Sequence, residues 1–161
     1  MTNTGNIQQV SADRRIALLS GLPSFETLES GVLGQVALAF KEACFLSGSA
    51  IVEESQIGDK MYLIESGTVR VSARGATGEV LLGEMGEGEI FGEIALLSDT
   101  KRRRATVTAI DEVRVLTLDV SDFERLASEF PEVRVDLAAA ADALMYARLH
   151  ALMLAKQNAS H

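Results

Sequence analysis

The sequence predicts an α+β fold: an antiparallel β-barrel or jelly roll with flanking N-terminal and C-terminal helices and one short helix among the strands. Three observations carry this. Between Ala43 and Leu118, short runs rich in Val, Ile and Leu alternate with glycine or acidic turns, the texture of many short strands. Before that stretch, apolar residues fall at helical spacing. After it, the chain becomes rich in Ala and Leu, both strong helix formers.

In order, residues 1–10 are polar and read as a flexible tail. Ser11 is a natural N-cap for a helix through Leu19, which Gly21-Leu22-Pro23 breaks. Leu28, Val32, Leu33, Val36 and Leu38 predict a second helix over 26–40. Strands are expected at 50–52, 61–64, 68–71, 80–82, 105–108 and 114–117, separated by turn signals such as Gly58-Asp59, Ser66-Gly67, Thr77-Gly78 and Gly86-Glu87-Gly88. Only Glu93–Leu97 interrupts them with a helical turn. Ser121 or Asp119 caps a helix carrying Phe123, Leu126 and Ala127. Pro131 suits the first turn of a final helix over 131–156. This gives one domain over 11–157: helices over 11–40, a β-roll over 41–119 and helices over 120–157.

Composition narrows the function. Apolar residues make up 47% of the chain, enough for a sizeable core. A net charge of −8 argues against general DNA or anionic-membrane binding. No apolar run approaches the roughly 18–20 residues that span a bilayer. The single cysteine, Cys44, reads as a small buried strand residue. Its solitude fits a reducing, cytoplasmic setting. His150 and His161 do not cluster with it, so no metal site is expected. No nucleophile elbow, Cys/His pair or phosphate loop is present, so no catalytic residues are assigned and an enzyme is not expected.

The most informative segment runs from Phe91-Gly92-Glu93-Ile94-Ala95-Leu96-Leu97 to Arg103-Arg104-Ala105-Thr106-Val107. Gly92 allows close backbone approach to a ligand. Glu93 offers acceptors for a ribose hydroxyl. Ile94 and Ala95 open a helical turn, and the amides of Ala95 to Leu97 lie at its N-terminus, where free N–H groups favour an anion. An arginine forks two donors onto phosphate oxygens. The basic run Lys101-Arg102-Arg103-Arg104 is also compatible with a solvated loop or a nucleic-acid backbone contact.

These residues resemble the phosphate-binding cassette of the cyclic-nucleotide-binding domain family. Gly48-Ser49-Ala50-Ile51, Gly58-Asp59-Lys60-Met61-Tyr62-Leu63-Ile64, Gly67-Thr68-Val69 and Gly86-Glu87-Gly88-Glu89-Ile90-Phe91 resemble its other segments in the right order, over roughly residues 12–157. The chain departs from the pattern at Ser55, where a turn often takes glycine, and at Arg104, where Ala, Ser or Thr is usual. The resemblance fixes the register: Arg103, two residues before Ala105, is the phosphate ligand, with Gly92, Glu93, Ile94, Ala95, Arg104 and Ala105 around it. Arg104 either helps bind phosphate, points to solvent or meets a partner.

The resemblance also implies Val71 and Leu82 under the purine, and Arg148 from the final helix as a cap on the base, beside Met145 and Tyr146. The implied ligand is cyclic AMP, with cyclic GMP as the alternative. The implied output is movement of the C-terminal helices toward an effector protein not named by the sequence. Leu137, Ala140, Leu144, Ala147, Ala151 and Leu154 form a stripe that serves either a homodimer or cover for the barrel. No winged helix-turn-helix segment follows, so a stand-alone sensor or a regulatory fragment is expected. A ligand-free interaction module, or a transcription regulator lacking its DNA-binding domain, is the rival reading.

Overall fold

The computed structural model describes residues 10–23, 25–97, 102–103, 105–143 and 150, with Ile94 and Ala95 as backbone alone. Helix α1 spans Ala12–Ser20, a 3-10 turn covers Phe25–Thr27, and α2 spans Ser30–Ala39. The strands are β1 (Lys41–Phe45), β2 (Ala50–Val52), β3 (Lys60–Ser66), β4 (Val69–Gly75), β5 (Gly78–Met85) and β6 (Ile90–Phe91). After α3 (Ile94–Leu97) come β7 (Thr106–Ala109), β8 (Val113–Asp119) and α4 (Val120–Glu129). A further helix, α5, covers 132–143 of the described residues.

The strands form two antiparallel four-stranded sheets, in the order β1-β8-β3-β6 and β2-β7-β4-β5. The β-roll is therefore open, two sheets facing each other rather than a closed barrel. The first sheet is covered on both sides, and the sequence of its central strands says why. In β3, Met61 and Leu63 join a core shared with the helices, while Tyr62 and Ile64 join the core between the sheets. In β8, Leu116 and Leu118 face the helices and Val113 and Val115 face the second sheet. Period-two alternation with both faces apolar demands cover on both sides.

Several expectations shift in detail. Ser11 caps α1, its side chain accepting a bond from the Arg14 amide at 3.1 Å. The second helix starts at Ser30, because the chain first makes a tight 3-10 turn that buries Phe25 and leaves Leu28 buried just outside the helix. Leu38, counted on its apolar face, is exposed. The tail was expected to reach residue 10, but Val10 is buried in the helical core. Asp119 stands at the N-cap of α4 without a side-chain cap bond, since its carboxylate pairs with Lys41 at 3.2 Å and Lys60 at 4.0 Å. Cys44 is exposed rather than buried. It lies on edge strand β1, where Ala43 and Phe45 take the inward face and leave Cys44 outward.

Pro131 lies one residue before α5. Of the predicted stripe, Leu137 and Ala140 are buried in the helical core, so these two cover the fold. Leu144, Ala147, Ala151 and Leu154 lie outside the described residues. Arg134 fastens α5 to α4, pairing with Glu124 and lying over the Phe123 ring at 5.1 Å.

Among the side chains that pin the N-terminal helices to the roll, Arg15 makes the most bonds. Arg15 donates Nε to the Val10 carbonyl at 3.2 Å and Nη1 to the carbonyls of Ala37 and Phe40 at the end of α2. Its Nη2 reaches the Glu42 carboxylate on β1 at 3.1 Å. A cation at a helix C-terminus also meets the negative end of the helix dipole. Removing it leaves carbonyls and a half-buried carboxylate without their charged donor. Arg15→Ala is expected to lower stability by about 2–3 kcal/mol in urea unfolding. A loss below about 0.5 kcal/mol would show that the clamp is decorative.

Candidate functional site

The cassette crosses from one sheet to the other: β6 belongs to the first, β7 to the second, and α3 and Arg103 lie between them. Its start is anchored by Phe91, whose ring stacks on Tyr62 of β3 at 4.8 Å with planes 6° apart. Gly92 follows with φ +78°, a left-handed conformation that glycine adopts without penalty. A Cβ there would also stand 2.6 Å from Arg103 Nη1. Glu93 is only 5% exposed, and its carbonyl accepts the amides of Leu96 at 3.0 Å and Leu97 at 3.3 Å.

That last pair corrects one expectation. The amides of Leu96 and Leu97 are spent inside the turn, so they are not open to an anion. The first-turn amides of Ile94 and Ala95 are the ones whose helical position leaves them unbonded within the helix.

Arg103 is the centre of the site. Its backbone is clasped by the loop between β2 and β3, with Arg103 N donating to the Gln56 carbonyl and Ser55 N to the Arg103 carbonyl, both at 2.8 Å. An isolated bridge joins Ile57 to Arg102 beside them. Ser55 makes this turn at φ +72°, so serine accepts the conformation in which glycine was expected. The Arg103 side chain then crosses Gly58. Nη2 donates to the Lys60 carbonyl at 2.9 Å and Nη1 to the Gly92 carbonyl at 3.0 Å, with Cζ 5.7 Å from the centre of the Tyr62 ring.

Two of the five guanidinium donors are used in those bonds, and the acceptors are neutral. The charge is therefore positioned without being neutralised by them. Burial lowers the Arg103 pKa, while Tyr62, Asp59 and Glu93 hold it up; arginine stays protonated at neutral pH regardless. Arg102, by contrast, is exposed and donates to the Ser55 carbonyl at 2.9 Å. The structure thus turns the two arginines to different tasks.

The other predicted residues divide in two. Ala105 is a half-buried bend after Arg103. Val71 pairs with Val107 on one side and Gly83 on the other, and packs against the inter-sheet core. Leu82 is the extra residue of a β-bulge, between the pairs Val71–Gly83 and Ser72–Leu81. Arg104, Met145, Tyr146 and Arg148 lie outside the described residues, as do the side chains of Ile94 and Ala95.

Sequence reasoning missed the seat of Arg103: Gly58, the Lys60 carbonyl and Tyr62. Backbone acceptors have no side-chain signature, and Gly58-Asp59 through Tyr62 read as a turn and strand matching the family, with no role at the site. Gly83 was missed as well; it shares the face of Val71, and a Cβ built on it meets nothing within 4 Å.

A half-buried glycine before a buried glutamate, a helical turn and a seated arginine on one crossover suit a small ligand carrying both hydroxyls and a phosphate. Residues 43–130 match the cyclic nucleotide-binding domain family. The chain belongs to that family. A cAMP-dependent protein kinase regulatory subunit of Yarrowia lipolytica is 36% identical over 113 residues, 70% of this chain and 28% of the relative. A cyclic nucleotide-gated potassium channel of Rhizobium etli is 36% identical over 120 residues, 74% of this chain and 32% of the channel. The crystal structure of Thermus thermophilus catabolite activator protein superposes with a TM-score of 0.70 at 31% identity, covering 83% of this chain and 63% of that one. The chain spans between 24% and 32% of the length of such curated relatives.

The matched proteins are named as kinase regulatory subunits, cyclic nucleotide-gated channels and a transcriptional regulator, and what this chain shares with them is the cyclic nucleotide-binding domain. Among the described residues, no group of three or more His, Cys, Asp or Glu is placed to hold a metal, and no helix is long and apolar enough to cross a membrane.

Tyr62 reports on the arginine beside it. Burial pushes its phenol above the ordinary 10.0, Arg103 pulls it down, and Asp59 and Asp119 push it up. Arg103→Ala removes the only one of these influences that lowers it. In a Tyr146→Phe background, where Tyr62 is the sole tyrosine, tyrosinate absorbance should appear at higher pH in Arg103→Ala than with Arg103 present. No shift, or a shift to lower pH, would mean that the charge of Arg103 is not what governs the Tyr62 titration.

Proposed function

We propose that the chain is a cyclic-nucleotide sensor that binds cyclic AMP, with cyclic GMP as the weaker ligand, and signals through its C-terminal helices. The observation that carries this is the Arg103 guanidinium, held on two carbonyls beside Gly92 and Glu93 with donors to spare. The phosphate goes to Arg103 and the first-turn amides of Ile94 and Ala95. The ribose goes to Glu93. The base rests on Val71 and the bulge at Leu82, with Arg148 as its cap. The cAMP-dependent kinase subunit among the relatives supports cyclic AMP as ligand.

The route to the helices starts at α3. Leu96 is buried in the helical core, in the same cluster as Phe123 and Leu126 of α4 and Leu137 and Ala140 of α5. Because the core is close-packed, the cassette and these helices adjust together. An effector protein reads the resulting helix position.

Cyclic AMP should raise the melting temperature by about 5–10 °C at a hundredfold excess over Kd, since it binds the folded state alone. Arg103→Ala should weaken calorimetric binding by about 2–5 kcal/mol with the fold intact. Arg102→Ala should cost under about 1 kcal/mol, its guanidinium being exposed and turned to Ser55. Neither heat nor thermal shift at millimolar cyclic AMP or cyclic GMP would end this reading. A larger loss with Arg102→Ala than with Arg103→Ala would move the phosphate to the other arginine.

Base preference is expected to be slight. Position 104 carries Arg in place of a Ser or Thr hydroxyl that favours guanine. Competition between the two nucleotides should show cyclic AMP binding a few-fold tighter. Tighter binding of cyclic GMP would contradict this.

A further inference from the structure

Gly58 has no conformational reason to be glycine. Its φ lies outside the left-handed region that side chains avoid, unlike Gly67 or Gly92. Its reason is space. A Cβ built there overlaps Cζ, Nε and Nη2 of Arg103, and these are its three nearest neighbours. The guanidinium lies across the bare backbone of Gly58 on its way to the carbonyls of Lys60 and Gly92. What the Cβ would strike is the free end of a long side chain, which can swing away, so the backbone need not yield.

We propose that Gly58 is a positioning residue for this site: its missing side chain is the slot that aims Arg103, and filling that slot disarms the site without unfolding the domain. This rests on the reading of Arg103 as the phosphate ligand. Gly58 touches no ligand in this account. It acts through the direction of the guanidinium. An alanine there drives the charge off the Lys60 and Gly92 carbonyls and away from the Tyr62 ring, leaving Glu93 and the first turn of α3 without their cationic partner for phosphate.

The test uses the full chain as wild type, Gly58→Ala, Arg103→Ala and the double variant. Gly58→Ala should melt within about 4 °C of wild type without ligand and bind cyclic AMP at least about tenfold more weakly by calorimetry. In the Tyr146→Phe background, Gly58→Ala should move the Tyr62 titration to higher pH, as Arg103→Ala does, because Asp59 and Asp119 then act on the phenol without the opposing arginine. In the double variant the slot faces no guanidinium, so Gly58→Ala should leave the Arg103→Ala melting temperature unchanged or higher.

An unchanged Tyr62 titration in a folded Gly58→Ala overturns the proposal, as does wild-type affinity for cyclic AMP. If Gly58→Ala unfolds the chain with Arg103 present but not with Arg103→Ala, the conflict with Arg103 is real but the domain does not survive it, and the proposal fails as stated. If it unfolds both, glycine serves the backbone and the proposal fails. Should wild type bind neither cyclic nucleotide, the functional reading fails, while the ligand-free Tyr62 titration still decides on the slot.

Discussion

The site depends on one half-buried cation held by neutral acceptors. Taking a guanidinium out of water is costly unless its donors find partners. Here the partners are the carbonyls of Lys60 and Gly92, with the Tyr62 ring beside them. A carboxylate in their place would neutralise the charge and compete with an incoming anion. Carbonyls orient it and leave it electrically available, which is the preorganisation that anion binding rewards. Three separate segments meet to achieve this: the loop at Ser55–Asp59, strand β3 and the cassette. The loop fixes the backbone of Arg103 and offers the bare Gly58 for its side chain to cross, and the other two segments hold its head.

The fold was legible where the physics is local. Ser11 capped its helix because the capping bond needs only the next turn. The strand runs were found because β3 and β8 are apolar on both faces. The short β6 escaped, since two residues show no alternation. Cys44 was misplaced for the opposite reason: its residue type favours burial, but edge position and strand parity turned it outward. Asp119 looked like a cap, and two lysines from β1 and β3, distant in sequence, claimed its carboxylate instead. At Cys44 and Asp119 tertiary placement overrode a sound local preference.

The site was legible in its side chains and opaque in its backbone. Gly92, Glu93 and Arg103 stood out because glycine, carboxylate and arginine advertise their chemistry, and resemblance supplied the register that separated Arg103 from Arg102. The seat did not stand out, because Lys60 contributes a carbonyl that any residue would supply. Tyr62 looked like core and is core; its second task appears only when the guanidinium is seen over its ring. The same holds for the α3 amides. Their availability depends on which carbonyl the turn closes onto, and Glu93 takes Leu96 and Leu97.

The cassette also belongs to both cores at once. Phe91 packs in the inter-sheet core through its stack on Tyr62, and Leu96 packs in the helical core with α4 and α5. A ligand spanning Gly92 to Arg103 therefore touches the segment that joins two packed regions. It can shift the helices only by the difference in its contacts between two cassette positions. The two helical flanks are unequal in their resistance. Arg15 binds the N-terminal pair to β1 through three carbonyls and a carboxylate, at 14% side-chain exposure. Arg134 holds α5 to α4 from a side chain 45% exposed, where an ion pair contributes little. On the proposed function, strain introduced at the cassette is relieved most cheaply on the C-terminal side, because α3 packs against α4 and a weaker clasp holds the helix beyond it.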